Sequence, residues 1–240
     1  MTSHFHALCV DAIDPPLLAR FWAGVLGRET ADDPSGGIAL PPDGDAGLRI
    51  LFLPTDEPQS GRNPLHFDLT SASLDDQRAT VARSLALGAR HIDIGQLPEE
   101  GHVVLADPEG NEYCVIEPGN AFLAGCGTLG ALSCDGSQAV GYFWSAALGW
   151  PLVWDQDQET AIRSPHGGPK ITWGGPPLMP LTGRARLRFD LAPPAGGAQG
   201  AEIDRLVSLG ATRTGTGTDG SGAVAMTDPD GREFRVLASR

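Results

Sequence analysis

Cysteine is scarce in this sequence, and the few cysteines form no recognisable pair. Cys9, Cys114, Cys126 and Cys134 are the only ones in 240 residues, and no CxxC motif occurs among them. So sparse a set excludes a disulfide scaffold. We therefore expect four reduced thiols.

Basic residues and long apolar stretches are also lacking. The chain has 17 Lys and Arg against 30 Asp and Glu, a formal net charge of -13. Such a surface repels phosphate backbones and anionic lipid headgroups, so we expect no nucleic-acid partner and no membrane partner. No window approaches the ~18 to 20 apolar residues of a membrane span, and the first residues lack a signal-peptide pattern. A cytoplasmic protein is expected.

Motifs of several common enzyme classes are missing as well. The sequence contains no GxSxG, no Walker-type phosphate loop, no HExxH and no GxGxxG after a strand, so hydrolase, nucleotide-binding and Rossmann functions have no support. Apolar residues make up 41% and charged residues 20%, which is average for a globular protein. The length suffices for two ordinary domains.

An internal repeat is what the sequence does contain, with an offset of 121 or 122 residues. The matching blocks are Phe21–Gly27 with Phe143–Gly149, Phe67–Leu69 with Phe189–Leu191, Leu87–Ala89 with Leu209–Ala211, and Asp107–Gly110 with Asp228–Gly231. Four blocks in one order at nearly one spacing indicate a tandem duplication. We predict domain 1 at residues 1–118, a glycine-rich linker at 119–127 and domain 2 at 128–240.

Each copy is predicted to contain two βαβββ units. Asp14 before two prolines marks the start of a helix and Gly27 marks its end. Ser73 and Asp76 have the spacing of a capping box at the start of the second helix. Between them, the alternating segment 65–70 predicts a strand with leucine and phenylalanine facing a core and with His66 and Asp68 on its other face.

These blocks together resemble the vicinal oxygen chelate superfamily, the glyoxalase / bleomycin resistance / extradiol dioxygenase group, and in particular its tandem glyoxalase-like branch. The blocks that carry the resemblance are Phe21-Trp22 with Leu26-Gly27, Leu65–Leu69, Leu87–Ala89 and Asp107–Glu112. The resemblance implies an α+β fold of four βαβββ modules, with mixed, mainly antiparallel curled sheets. It also implies that two modules curl eight strands into a cup that holds a ligand or a metal. Whether modules pair within a copy or across copies stays open.

The resemblance also implies positions for metal ligands. In domain 1 they are held by His6, His66 and Cys114, with Glu112 as an alternative oxygen donor and an apolar fourth position near Leu51. Imidazole and thiolate ligands suit Zn²⁺, and Ni, Mn or Fe are alternatives. The equivalent positions of domain 2 hold Gly130 (or Thr128), Arg188 and Arg235. We expect no cofactor, with a divalent metal possible in domain 1 only; the alternative reading makes these residues an ordinary polar sheet face and a core thiol.

Two functions follow from these residues. The first is a metal-independent small-molecule binding protein of the bleomycin resistance type, with an apolar or aromatic ligand in the cup. The residues expected to bind this ligand are His6, Trp154, Trp173 and Arg188, although Arg188 is also predicted to pair with Asp190 or Glu233. The alternative is a metal-dependent lyase, isomerase or dioxygenase using His6, His66 and Cys114 or Glu112, or a metal-free catalyst with His66 and Asp68 as acid and base. Either a pseudo-dimeric monomer or a homodimer is expected.

Overall fold

The computed structural model describes residues 2–44, 46–58, 61–97, 99–180, 185–216 and 222–239. Within them, four helices and sixteen strands repeat the order β–α–β–β–β four times. The helices are α1 (Pro15–Leu26), α2 (Leu74–Ala86), α3 (Gln138–Leu148) and α4 (Gln199–Ser208). The strands of the first two modules are β1 (His4–Ala12), β2 (Ala31–Asp32), β3 (Ile38–Leu40), β4 (Ile50–Pro54), β5 (Leu65–Leu69), β6 (Arg90–His91), β7 (Val103–Ala106) and β8 (Glu112–Val115). Those of the last two are β9 (Leu129–Cys134), β10 (Leu152–Gln156), β11 (Glu159–Ser164), β12 (Gly167–Trp173), β13 (Leu187–Ala192), β14 (Thr212–Thr216), β15 (Val224–Thr227) and β16 (Glu233–Val236).

The predicted helix signals act as expected. The Asp14 carboxylate accepts a hydrogen bond from the Leu17 amide at 2.9 Å, and α1 ends at Gly27, whose φ of +66° is left-handed. At α2 the Asp76 amide donates to Ser73 Oγ at 3.1 Å. Local sequence therefore defines the starts of both helices in the first copy.

The sixteen strands form two eight-stranded sheets. Each sheet contains one module from the first copy and one module from the second. The first has the order β14-β15-β16-β13-β1-β4-β3-β2 and the second β10-β11-β12-β9-β5-β8-β7-β6. The sheets are joined across the copies by antiparallel β1 with β13 and by antiparallel β5 with β9. Modules 1 and 4 therefore share one sheet, and modules 2 and 3 share the other. We call the helix-free face of the first sheet cup 1 and that of the second sheet cup 2.

The division of the sequence near residues 119–127 thus describes the repeat, while the hydrogen-bonded sheets cross it. The open question of module pairing is settled in favour of pairing between copies. Candidate residues in the first half of the chain are consequently divided between two cups.

One apolar core lies between the sheets and the helices, and a pair of tryptophans anchors it. Trp22 Nε1 donates to Asp107 Oδ2 at 3.1 Å, and Trp144 Nε1 donates to Asp228 Oδ2 at 3.2 Å. Trp22 also packs edge-to-face against Phe67 of β5, and Trp144 packs in the same way against Phe189 of β13. The repeated Phe-Trp and Asp-Pro blocks therefore contact one another in each copy.

The Asp-Pro-Glu-Gly block has a structural role beyond its hairpin turn. The Asp107 carboxylate accepts from the amides of Glu109 at 3.0 Å and Asn111 at 2.9 Å, which fixes the turn. The Glu109 carboxylate accepts from the Asp14 amide at 2.8 Å, at the start of α1. In the second copy the Asp230 carboxylate accepts from the Ser137 amide at 2.6 Å, so the block joins the last hairpin of each copy to its first helix. Burial raises the pKa of Asp107 to about 6.

Membrane-spanning helices and cysteine pairing can both be checked in the structure. The helices formed by the described residues are all too short or too polar to cross a bilayer. All four cysteines are free.

Candidate functional site

Strand alternation determines which side chains face cup 2. Leu65, Phe67 and Leu69 of β5 are buried in the core. His66 and Asp68 between them must therefore lie on the helix-free face. The same alternation applies on the partner strands, so register pairs identify the rest of the cup.

A first line of side chains crosses the sheet from β10 to β5. Trp154 is paired with Ala161, and Ala161 with Thr172. Thr172 is paired with Ser133, and Ser133 with His66. Three small side chains, those of Ala161, Thr172 and Ser133, thus lie between an indole and an imidazole on this face of the sheet.

A second line runs beside the first. Arg163 is paired with Lys170, and Lys170 with Ala131. Ala131 is paired with Asp68, and Asp68 with Cys114. Two cations therefore lie at one end of cup 2, and a carboxylate with a thiol lies at the other, separated by an alanine.

His66, Asp68 and Cys114 form one compact cluster at the β5–β8 end. Their potential donor atoms all lie within 4.8 Å of one another. His66 Nε2 is 3.4 Å from Asp68 Oδ1, and Ser133 Oγ donates to Asp68 Oδ2. Burial, reinforced by the Asp68 charge, raises the pKa of the Cys114 thiol. The cluster is therefore an imidazole and a carboxylate beside a protonated thiol.

Glu112, the alternative oxygen ligand, is engaged at the rim of the same end. Its carboxylate accepts weakly from the Asn63 amide at 3.4 Å and lies 4.0 Å from Arg62 Nε. It does not belong to the compact cluster around His66. Its contacts instead attach the segment before β5 to β8.

The linker covers the opposite, cationic end of cup 2. Lys170 Nζ lies 4.2 Å from the centre of the Phe122 ring and donates to the Phe122 carbonyl. Arg163 Nη2 donates to the Gly125 carbonyl at 2.5 Å. Trp154 meets Phe122 edge-to-face with 5.8 Å between ring centres. Phe122 and Trp154 therefore form an aromatic wall beside Lys170.

Cup 1 is chemically different because its charges neutralise one another. Arg188 Nη1 is 2.7 Å from Asp11 Oδ1, and Arg188 Nε is 3.7 Å from Asp190 Oδ1. Arg235 is paired with Asp190 across β13 and β16. Burial alone would lower the pKa of Arg188, but the charges around it, that of Asp11 first, raise it above the ordinary value. Arg188 therefore lies between two carboxylates in cup 1, and the predicted Arg188–Asp190 pair is present.

The residues predicted from the sequence are therefore only partly brought together. His66, Asp68 and Cys114 meet in cup 2, whereas His6 lies on β1 of the other sheet. Trp154 faces cup 2 and is 36% exposed. Trp173 corrects the expectation of a second cup-facing indole: it is 2% exposed and packs in the core, because it alternates with Thr172 on β12.

Ser133, Lys170 and Phe122 were not predicted as site residues. Ile171 and Trp173 of β12 are core residues. The alternation of the strand therefore predicts that Lys170 lies on the opposite, helix-free face. Its position beside Ala131 depends on the pairing of β9 with β12. Phe122 has no such signal, since it lies in a glycine-rich linker.

Comparison with protein families gives the origin of this architecture. The family model described as a glyoxalase-like domain matches the chain twice, at residues 7–116 and 131–237. The chain belongs to the glyoxalase-like domain family. The two matches confirm the tandem repeat and the membership of the vicinal oxygen chelate superfamily expected from the sequence. No curated protein sequence matches the chain.

Solved structures share the whole fold of this glyoxalase-like chain at low sequence identity. Glyoxalase I from Zea mays is 11% identical with a TM-score of 0.62, over 99% of this chain and 92% of the other. A putative dioxygenase from Bacillus subtilis subsp. subtilis str. 168 is 16% identical with a TM-score of 0.61, over 98% of this chain and 85% of the other. Identities this low establish the fold alone, so function is argued from cup 2.

Proposed function

We propose that this glyoxalase-like chain is a cytoplasmic small-molecule binding protein, either a pseudo-dimeric monomer or a homodimer, with its binding site in cup 2. The observation that carries the proposal is the aromatic wall of Trp154 and Phe122, which lies on the same sheet face as the acid–base cluster of His66 and Asp68. Ligand sites are typically concave, with apolar and aromatic walls and a few polar groups that orient the ligand. In cup 1 the corresponding polar residue is Arg188, which pairs with Asp11 and lies beside Asp190.

His66 is the polar group best placed to contact this ligand. Its side chain is 38% exposed, while that of Asp68 is 15% exposed. Asp68 therefore acts as a positioning residue, which orients the imidazole from below and is itself held by Ser133. A histidine so oriented can donate to or accept from a ligand near neutral pH.

Metal-assisted catalysis is a second candidate, favoured by the compact cluster. Tetrahedral Zn²⁺ with bonds of 2.0–2.3 Å needs donor atoms about 3.3–3.8 Å apart. The 3.4 Å between His66 Nε2 and Asp68 Oδ1 fits this requirement, so His66, Asp68 and Cys114 would hold the ion. When bound, the ion would supply Lewis acidity to a substrate oxygen. The Cys114 proton would have to leave on binding, so metal affinity would rise with pH.

Binding is tested by comparing the two histidines that the sequence singled out. Indole, benzoate and 1-anilinonaphthalene-8-sulfonate serve as probes in thermal-shift and calorimetric titrations. A probe at 100 times its Kd adds about 2.7 kcal/mol to the free energy of unfolding. We expect His66→Ala to weaken binding about tenfold, the loss of one hydrogen bond, and His6→Ala, in the other sheet, to leave it unchanged. Weakening by His6→Ala alone, or no binding by any probe, would contradict the proposal.

The metal candidate is tested by elemental analysis of protein purified without chelator. Stoichiometric zinc, nickel, manganese or iron that is lost in Cys114→Ser and retained in Cys126→Ser would support the cluster as a metal centre. The Cys126→Ser variant controls for loss of a thiol elsewhere. Metal that persists in Cys114→Ser would refute this assignment.

A further inference from the structure

We propose that cup 2 selects ligands with an anionic group, specifically aromatic carboxylates, and that Lys170 together with Arg163 receives the carboxylate. This inference rests on the proposed function and names the ligand class for the same cup. It comes from the distribution of charge within the two cups.

The two cations of cup 2 face each other without a carboxylate partner. Arg163 and Lys170 are directly paired across β11 and β12, and like charges in that position destabilise a sheet. In the part of the chain that the structure describes, their hydrogen bonds go to main-chain carbonyls of Phe122, Gly125 and Gly168. Neutral carbonyls leave the two positive charges uncompensated.

Cup 1 provides an internal comparison. There Arg188 is held by Asp11 at 2.7 Å and lies beside Asp190. In cup 1 the chain therefore supplies carboxylates of its own for a cation. At the register position of Lys170, cup 1 holds Arg49, whose guanidinium pairs with the Asp33 carboxylate. Among the described residues, the cations of cup 2 therefore lack the carboxylate partner that the corresponding cation of cup 1 has.

The surroundings of the pair suit an aromatic body. Lys170 and Asp68 lie on the two strands that flank β9, both opposite Ala131, so their Cα atoms are about 10 Å apart. One or two fused rings span such a distance along the aromatic wall of Trp154 and Phe122. An ammonium has three N–H donors, and the Phe122 carbonyl accepts one. Further donors can therefore reach a carboxylate without breaking the linker contact.

The overall charge sharpens the inference. A chain with a formal net charge of -13 repels anions on average. Recognition of an anion therefore requires local cations, and cup 2 contains two adjacent ones. Because they are only partly covered, salt is expected to weaken the attraction.

The test compares naphthalene-2-carboxylate with naphthalene-2-carboxamide, which share shape and differ in charge. Calorimetry with the full chain should give a Kd for the carboxylate at least about tenfold lower, the size of one charge-assisted hydrogen bond. Lys170→Met should bring the ratio of the two Kd values close to one. Lys170→Arg should preserve the ratio, and Arg78→Met on the exposed face of α2 controls for the loss of one positive charge. Circular dichroism verifies that each variant is folded.

The remaining outcomes would contradict either the anion assignment alone or ligand binding in cup 2 as well. Equal affinity for both compounds, or a preference that survives in folded Lys170→Met, would overturn the anion assignment while leaving binding in cup 2 intact. Binding of neither compound would overturn this inference and the proposed function together. A carboxylate Kd that does not increase with sodium chloride would also overturn the assignment.

Discussion

Replacing Arg188 by methionine tests whether cup 1 is held together by its own charges. Methionine has a similar length and no charge, so the change removes the cation while keeping most of the volume. Asp11 and Asp190 would then share a buried site without a counter-charge. The side chains of Arg188 and Asp11 are 2% and 7% exposed, so water gives them little compensation.

The size of the effect follows from the geometry. At 2.7 Å two unit charges attract by about 6 kcal/mol at an effective dielectric constant near 20. Desolvation offsets much of this attraction in the intact pair, but removing one partner leaves the other buried and uncompensated. We therefore expect Arg188→Met to lower the free energy of unfolding by about 3–5 kcal/mol.

Urea denaturation followed by circular dichroism measures the loss, and a double-mutant cycle apportions it. Asp11→Asn removes one of the stranded carboxylates, so the double variant should be less destabilised than the two single effects predict, by at least about 1 kcal/mol. The control is Arg78→Met, since Arg78 pairs with Asp75 on the surface, with side chains 69% and 90% exposed. Its expected loss is below about 1 kcal/mol.

A loss below about 1 kcal/mol for Arg188→Met would refute the reasoning, because uncompensated buried carboxylates destabilise by more than that. A coupling near zero between Arg188 and Asp11 would refute it independently. In either case the ion pair of Arg188 with Asp11 would not be what holds cup 1 together.

Two further predictions concern stability. Burial raises the pKa of Asp228 from 3.8 to about 6, so its contribution to stability is complete below the ordinary pKa and is lost as pH rises through 6. Asp228→Asn should therefore flatten the dependence of the unfolding free energy on pH in this range, and an unchanged slope in urea titrations would contradict this. Gly168 has φ +79° and a Cβ there would lie 1.9 Å from the Ala46 carbonyl oxygen, whereas Gly36 has φ +85° and open space. Gly168→Ala should cost at least about 2 kcal/mol more than Gly36→Ala, and equal costs would show that the Ala46 loop yields.

Local signals explain how much of the fold could be predicted. Asp14, Gly27 and Ser73 act within a few residues along the chain, so their effect on helix ends does not depend on distant partners. Alternation in Leu65–Leu69 likewise determines which face carries His66 and Asp68. The shortest strands carry little local signal: β2 spans only Ala31–Asp32, and two residues show no periodicity.

The sequence by itself determined the duplication, the four modules, the family and the pairing of His66 with Asp68 on one face, since each is written in residues close together in the chain or in a repeat. Only the tertiary structure decided which modules share a sheet. That choice depends on hydrogen bonds of β1 with β13 and β5 with β9, whose main-chain groups are the same in every copy and leave no sequence signal. The pairing of modules between copies placed His6 and His66 in different sheets and brought Arg188 beside Asp11 in cup 1. It also placed Lys170 and Asp68 on the two strands that flank β9 in cup 2.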